Sequence, residues 1–296
     1  MRLLKTATPV FLILAVLFAL LIAGCAQPRP AVPTPQPAAV TTAAIPTAAP
    51  DTIQTTHSTL GTILTDSQGR TLYYFANDVP ASGASSCTGK CTALWPPFSA
   101  GTVQVSSPLD PADFSSITLA DGTTQTTYYG WPLYYYSADT TPGSTNGEGI
   151  LKIWFTVQPD ESLLIAHTPA LGSFLTDTSG RTLYVYTKDT AGTGTCTGAC
   201  LAKWPAFVAS PVTAPSILKS SDLTELSRAD GVNQTAFMGK PLYYYAGDAK
   251  PGDVTGQGFG GVWYVANTTG MVPVATAVPT TVVTTSSAST SYSGGY

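Results

Sequence analysis

Leu60-Gly-Thr-Ile-Leu-Thr-Asp-Ser-Gln-Gly-Arg-Thr-Leu-Tyr73 returns almost unchanged as Leu171-Gly-Ser-Phe-Leu-Thr-Asp-Thr-Ser-Gly-Arg-Thr-Leu-Tyr184. Both read as strand, turn, strand. Asp66-Ser-Gln-Gly69 and Asp177-Thr-Ser-Gly180 are turn sequences, because an Asp side chain accepts from nearby backbone N–H groups and Gly tolerates positive φ. Aromatic and β-branched residues flank each turn, which predicts a hairpin. Alternation puts Tyr73 and Phe75 on one face of the second strand, and Leu72 and Tyr74 on the other. Both faces are apolar or amphipathic, so this strand is expected to be packed on both sides.

The duplication extends well beyond this stretch. Cys87-Thr-Gly-Lys-Cys91 returns as Cys196-Thr-Gly-Ala-Cys200, Trp95-Pro96 as Trp204-Pro205, Leu133-Tyr-Tyr-Tyr136 as Leu242-Tyr-Tyr-Tyr245, and Trp154 as Trp263. A shorter element recurs inside each copy. Tyr73-x-Phe75-x-x-Asp78, Tyr134-x-Tyr136-x-x-Asp139, Tyr184-x-Tyr186-x-x-Asp189 and Tyr243-x-Tyr245-x-x-Asp248 are four instances of one pattern, each preceded by Gly-x-(Thr or Pro)-Leu. Residues 57–158 and 159–270 therefore read as two homologous modules. The expected fold class is all-β, with a small sandwich or barrel per module, or a single propeller-like assembly of four half-modules. Helix is expected only as a turn or two at Thr92–Trp95 and at Ser220–Leu226, the latter capped by Ser221 or Asp222.

The ends of the chain carry different information. Arg2 and Lys5 precede an apolar run from Val10 to Ile22, the order of a secretory signal over residues 1–24. That run is shorter than the roughly 20 apolar residues a membrane span needs. Leu21-Ile22-Ala23-Gly24-Cys25 resembles a bacterial-type lipobox, which implies cleavage before Cys25 and lipidation of its sulfur. Residues 25–56 are then a Pro/Ala/Thr-rich tether, too poor in large apolar residues to bury a core, and residues 271–296 a second, Thr/Ser-rich tail. The expected location is extracytoplasmic, with the chain held at the cell membrane by its lipid.

Only 10% of residues are charged and the formal net charge is −4. A mildly acidic, Lys-poor chain lacks the clustered cations that nucleic acid requires, so no nucleic-acid partner is expected. A protein or envelope component is expected instead.

The fourfold motif, with Cys-Thr-Gly-x-Cys and Trp-Pro after its first copy, resembles the secreted-repeat lipoproteins defined by Tyr-x-(Phe/Trp/Tyr)-x-x-Asp. The likeness covers both modules and the leader. It implies relatives without an assigned activity, so it names no reaction.

Candidate chemistry is sparse. Of five cysteines, four form two close pairs, Cys87/Cys91 and Cys196/Cys200. In an exported chain these read first as disulfides within each module, with half of a zinc site or a redox or copper site as alternatives. Asp78, Asp139, Asp189 and Asp248 each stand alone in their motif, which fits a turn or strand-end role better than a calcium loop with its clustered carboxylates. His57 and His167 are the only histidines; they are weak candidates for a metal or haem, and solvated strand-start residues otherwise. Ser82-Gly-Ala-Ser85 resembles covalent flavin-attachment sites, but the second copy breaks the pattern. Asn233 and Asn267 open glycosylation sequons. No nucleophile elbow or phosphate-binding loop occurs. A non-enzymatic role without a cofactor is therefore expected, with an electron-transfer accessory carrying a metal, haem or flavin as the alternative.

Overall fold

The computed structural model describes residues 52–270. The leader, Cys25 and most of the tether fall outside the described residues, as does the tail from residue 271. Within them the fold is all-β, with strands gathered into sheets of two or three.

Strands β1 (Thr52–Ser58) and β2 (Gly61–Thr65) form an antiparallel hairpin. The turn that follows is built as its sequence dictates. Asp66 Oδ1 accepts from the Gln68 and Arg70 N–H groups at 2.9 Å each, and Gly69 takes φ +78°. The chain then enters β3 (Tyr73–Phe75), which pairs with the distant β8 (Trp154–Thr156). At its other edge Tyr73 and Tyr134 exchange both backbone hydrogen bonds at 2.9 Å. Between these lie β4 (Gln104–Val105), parallel to β1, and a second sheet of β5 (Phe114–Thr118), β6 (Thr124–Tyr128) and β7 (Trp131–Pro132).

The second module repeats this plan with β9 (Leu163–Thr168), β10 (Gly172–Asp177), β11 (Tyr184–Tyr186), β12 (Leu223–Ser227), β13 (Asn233–Phe237), β14 (Lys240–Pro241) and β15 (Trp263–Val265). The β1–β2 turn has two residues between the last paired positions and the β9–β10 turn has three. That difference absorbs the unequal spacing after His57 and His167, which face Thr62 and Ser173 at equivalent ladder positions.

Two single-turn helices, α1 (Lys90–Leu94) and α2 (Ala199–Lys203), carry the second cysteine of each pair. The helix expected at Ser220–Leu226 is corrected to one 3-10 turn, Ser220–Asp222, followed by β12. Leu223–Ser227 finds a full antiparallel partner in β13, so ladder bonds replace helical ones, with Leu226 buried and Glu225 exposed.

Strand β3 is packed on both faces. Tyr73 and Phe75 join a small core with Cys87, Trp95, Tyr134 and Trp154. Leu72 and Tyr74 join a larger one that runs on without a break through Ile165, Phe174 and Leu183 of the second module. Polar contacts follow the same seam. The His167 N–H donates to Ala76 O at 2.7 Å, the Ile165 N–H to Tyr74 Oη at 3.2 Å, and Trp131 Nε1 to Thr178 O at 3.0 Å. The two copies thus share one core, and burial across their junction ties them together.

Candidate functional site

The spacing of the repeated motif has a local cause. In all four copies the Asp N–H donates to the carbonyl of the aromatic residue three positions earlier: Asp78 to Phe75 at 2.9 Å, Asp139 to Tyr136 at 3.0 Å, Asp189 to Tyr186 and Asp248 to Tyr245 at 3.1 Å. This turn ends the strand and aims the carboxylate back along it.

The carboxylate then reaches the tyrosine of the other copy. Tyr73 Oη donates to Asp139 Oδ2 and Tyr134 Oη to Asp78 Oδ2, both at 2.6 Å. In the second module Tyr184 donates to Asp248 at 2.7 Å and Tyr243 to Asp189 at 2.8 Å. The remaining oxygen of each Asp accepts from a loop N–H, from Ser86, Asn146, Thr195 and Thr255 respectively for Asp78, Asp139, Asp189 and Asp248. Every motif carboxylate is thus engaged at both oxygens. Burial, reinforced by the adjoining carboxylates, holds all four tyrosine hydroxyls well above the ordinary phenol range, so they remain neutral donors. Burial also pushes the Asp78 carboxyl up to about 6, against the opposing pull of its Tyr134 and Ser86 hydrogen bonds.

The middle aromatic of the motif builds a ring stack. Phe75 lies on Trp154 at 4.1 Å between centroids, Trp154 on Trp95 at 3.8 Å, and Trp95 on Tyr136 at 4.4 Å. The second module repeats the order as Tyr186, Trp263, Trp204 and Tyr245, spaced 4.4, 3.8 and 4.4 Å. The two motif copies therefore hold a tryptophan pair between them. The bridges Cys87–Cys91 and Cys196–Cys200 lie within their own modules, each with Cα atoms 5.3 Å apart. Each helical turn between bridge and tryptophan closes with a 2.8 Å bond, from the Trp95 N–H to Cys91 O and from the Trp204 N–H to Cys200 O.

Other candidates are used locally. His57 Nδ1 and His167 Nδ1 approach Thr62 and Ser173 hydroxyls at 3.5 and 3.2 Å. Among the described residues no three His, Cys, Asp or Glu side chains converge as a metal ion would require. Ser85 shares a 2.7 Å hydrogen bond with Tyr134 Oη and so extends the Tyr–Asp pair, while Ser82 bonds Ala84 O at 3.3 Å. A second Tyr–Asp contact escapes the motif: Tyr135 donates to Asp66 at 2.8 Å and Tyr244 to Asp177 at 3.0 Å, anchoring the hairpin turns. Its signal was the middle tyrosine in each Leu-Tyr-Tyr-Tyr run.

A feature invisible to motif reading lies at the junction of the copies. Glu161, only 6% exposed, borders a narrow cavity lined also by Tyr74, Tyr128, Tyr129, Trp131 and Leu164. Its Oε1 accepts from Gln158 Nε2 at 3.0 Å, whereas its buried Oε2 has no hydrogen-bond partner among the described residues. Burial first, then the like charges of Glu148 and Asp160, push its carboxyl well above the usual range.

A family model described as a secreted repeat of unknown function matches residues 54–99, 115–158, 166–208 and 225–267. Each matched segment holds one Tyr-x-aromatic-x-x-Asp motif, so the half-module is the repeating unit. No curated protein matches the chain, and no solved structure matches it.

Proposed function

The chain belongs to the family of secreted repeats of unknown function, and from that premise we propose that it is a lipid-anchored binding or envelope-structure component without enzymatic activity. The observation that carries this reading is the reciprocal Tyr–Asp pairing. The residues of the fourfold motif are consumed internally: one oxygen of each Asp accepts from the tyrosine of the other half-module, and the second accepts from a loop N–H of its own half. A motif engaged in this way makes a rigid scaffold and leaves recognition to surfaces between and beside the copies. Lipidation at Cys25 would set that scaffold at the membrane, with residues 26–51 as spacer, because Thr52–Thr56, expected as tether, instead belong to β1. A diacylglyceryl group suits this role, because a single acyl chain anchors only marginally.

Fractionation tests the anchor. Cys25→Ser should release the chain from the membrane or leave the leader unprocessed, and a fully processed, membrane-held variant would overturn the reading.

The ring stacks favour a second reading, an electron-transfer accessory. Stacked centroids 3.8–4.4 Å apart beside a disulfide form a compact aromatic column in each module. Visible absorption and elemental analysis of protein purified from its native envelope separate the two. A stoichiometric chromophore or metal would overturn the first reading, and a colourless, metal-free protein would leave the second with little support.

A further inference from the structure

We propose that the cavity beside Glu161 binds the ammonium head of a small primary amine in solution. The inference gives the binding role a ligand class and rests on that role.

The duplication supplies an internal comparison. The corresponding cavity of the second module is lined by Val185, Phe237, Met238, Lys240, Ala266, Asn267 and Gly270. Position by position, Val185 stands for Tyr74, Met238 for Tyr129, Lys240 for Trp131 and Gly270 for Glu161. The β module therefore folds with one ring, Phe237, where the first copy has four, and without the carboxylate. Packing against Leu164 and Thr178 of the second copy accounts for the apolar part of that lining. It does not account for a buried carboxyl with one orphan oxygen. In the second module Lys240 brings a positive charge of its own, and its ammonium donates to Asp189 O. The first module presents the complementary charge.

Chemistry and size narrow the ligand. Tyrosine and tryptophan rings beside a carboxylate are a setting for cations, attracted by the ring quadrupoles and by the charge itself. The charged groups that bear on Glu161 are Glu148 and Asp160, and the other titratable residues of the lining are Tyr74, Tyr128 and Tyr129, so among the described residues no positively charged side chain lines the cavity. A cation would supply the missing partner for Oε2 and offset the cost of burying the carboxylate. One carboxylate falls short of the roughly six to eight oxygens calcium takes. The cavity has room for about one water-sized group, which fits a primary ammonium head and rejects a trimethylated one.

The test is calorimetric titration of the full chain with methylammonium chloride at pH 8, with potassium chloride and tetramethylammonium chloride at equal ionic strength. Saturable binding of methylammonium alone is expected, weakened by about tenfold or more in Glu161→Gln. Repeating the wild-type titration near pH 6 in buffers of different ionisation enthalpy reads proton release directly. Protons should be released as the ligand binds, because a carboxyl that burial favours in its neutral form must ionise to pair with the amine; this readout does not depend on any variant folding. No saturation, equal binding of potassium or tetramethylammonium, unchanged affinity in Glu161→Gln, or no proton release would overturn the assignment. Failure here with normal membrane retention of the wild type would leave the anchored scaffold standing, whereas loss of retention would strike the broader reading.

Discussion

Tyr73 and Asp139 belong to different copies of one motif, and the hydroxyl of the first donates to the carboxylate of the second at 2.6 Å. Tyr134 and Asp78 return the same bond in the opposite direction, also at 2.6 Å. The motif is therefore a two-part clasp whose halves lie about sixty residues apart.

Breaking the clasp should cost stability unequally at its two ends. Asp78 is 2% exposed, whereas Asp139 is half-buried and can turn to water when its partner is lost. Tyr134→Phe should destabilise by about 2–3 kcal/mol and Tyr73→Phe by about 1 kcal/mol, in line with buried and solvated charged hydrogen bonds. Urea unfolding of both variants, with a double-mutant cycle of Tyr73→Phe and Asp139→Asn, measures this. A coupling indistinguishable from zero would show that the Tyr–Asp contact does not hold the half-modules.

A close approach makes a second site intolerant of even one methyl group. A Cβ on Gly147 would lie 2.8 Å from ring atoms of both Trp95 and Tyr73, and one on Gly256 equally close to Tyr184 and 2.9 Å from Trp204. The Gly147 N–H also donates to Tyr73 Oη at 3.2 Å. Gly147→Ala should therefore displace the ring stack, at a cost of about 1–3 kcal/mol for overpacking. The near-ultraviolet circular dichroism of the tryptophan pair should change with it. Wild-type stability together with an unchanged aromatic spectrum would contradict the stack's role.

Local features of this fold were legible in the sequence, and distant ones were not. Asp66 and Gly69 announce their turn because the Asp side chain and the positive φ act within five residues. The two apolar faces of Tyr73–Phe75 follow from alternation alone. By contrast, nothing local says that Asp78 faces Tyr134, because that meeting depends on how β3 pairs. Strand β6 was equally opaque, since Gln125, Thr126 and Thr127 are buried without an apolar pattern. Gln125 is held by its amide donating to Leu133 O at 2.8 Å, a bond no composition rule anticipates. Ser220–Leu226 misled for a related reason: capping residues at its start suggested helix, and a ladder partner ten residues on outweighed them. Glu161 carried no motif; only its mismatch with Gly270 in the second copy set it apart.

Asp78 gives the fold a pH dependence opposite in sign to the usual carboxylate. Its value rises from 3.8 to about 6 because burial disfavours the charged form more than the Tyr134 and Ser86 bonds favour it. The folded state then holds the proton more tightly than the unfolded chain. Stability from this group is complete below about pH 4, falls as pH rises toward about 6, and is level above that. A shift of this size corresponds to about 3 kcal/mol. Glu161, raised by its own burial, acts in the same direction, so the wild-type slope alone does not isolate Asp78. Asp78→Asn does, because the amide has no proton to exchange in this range. Its absolute stability should be lower, since its NH2 group cannot accept as a second carboxylate oxygen does. Its loss of stability between pH 4 and pH 7 should nevertheless be smaller than that of the wild type by about 2–3 kcal/mol. Urea midpoints at four pH values in both proteins read the difference. Parallel curves for the two would mean that Asp78 is ionised as readily in the fold as outside it, and that the clasp carries a full charge.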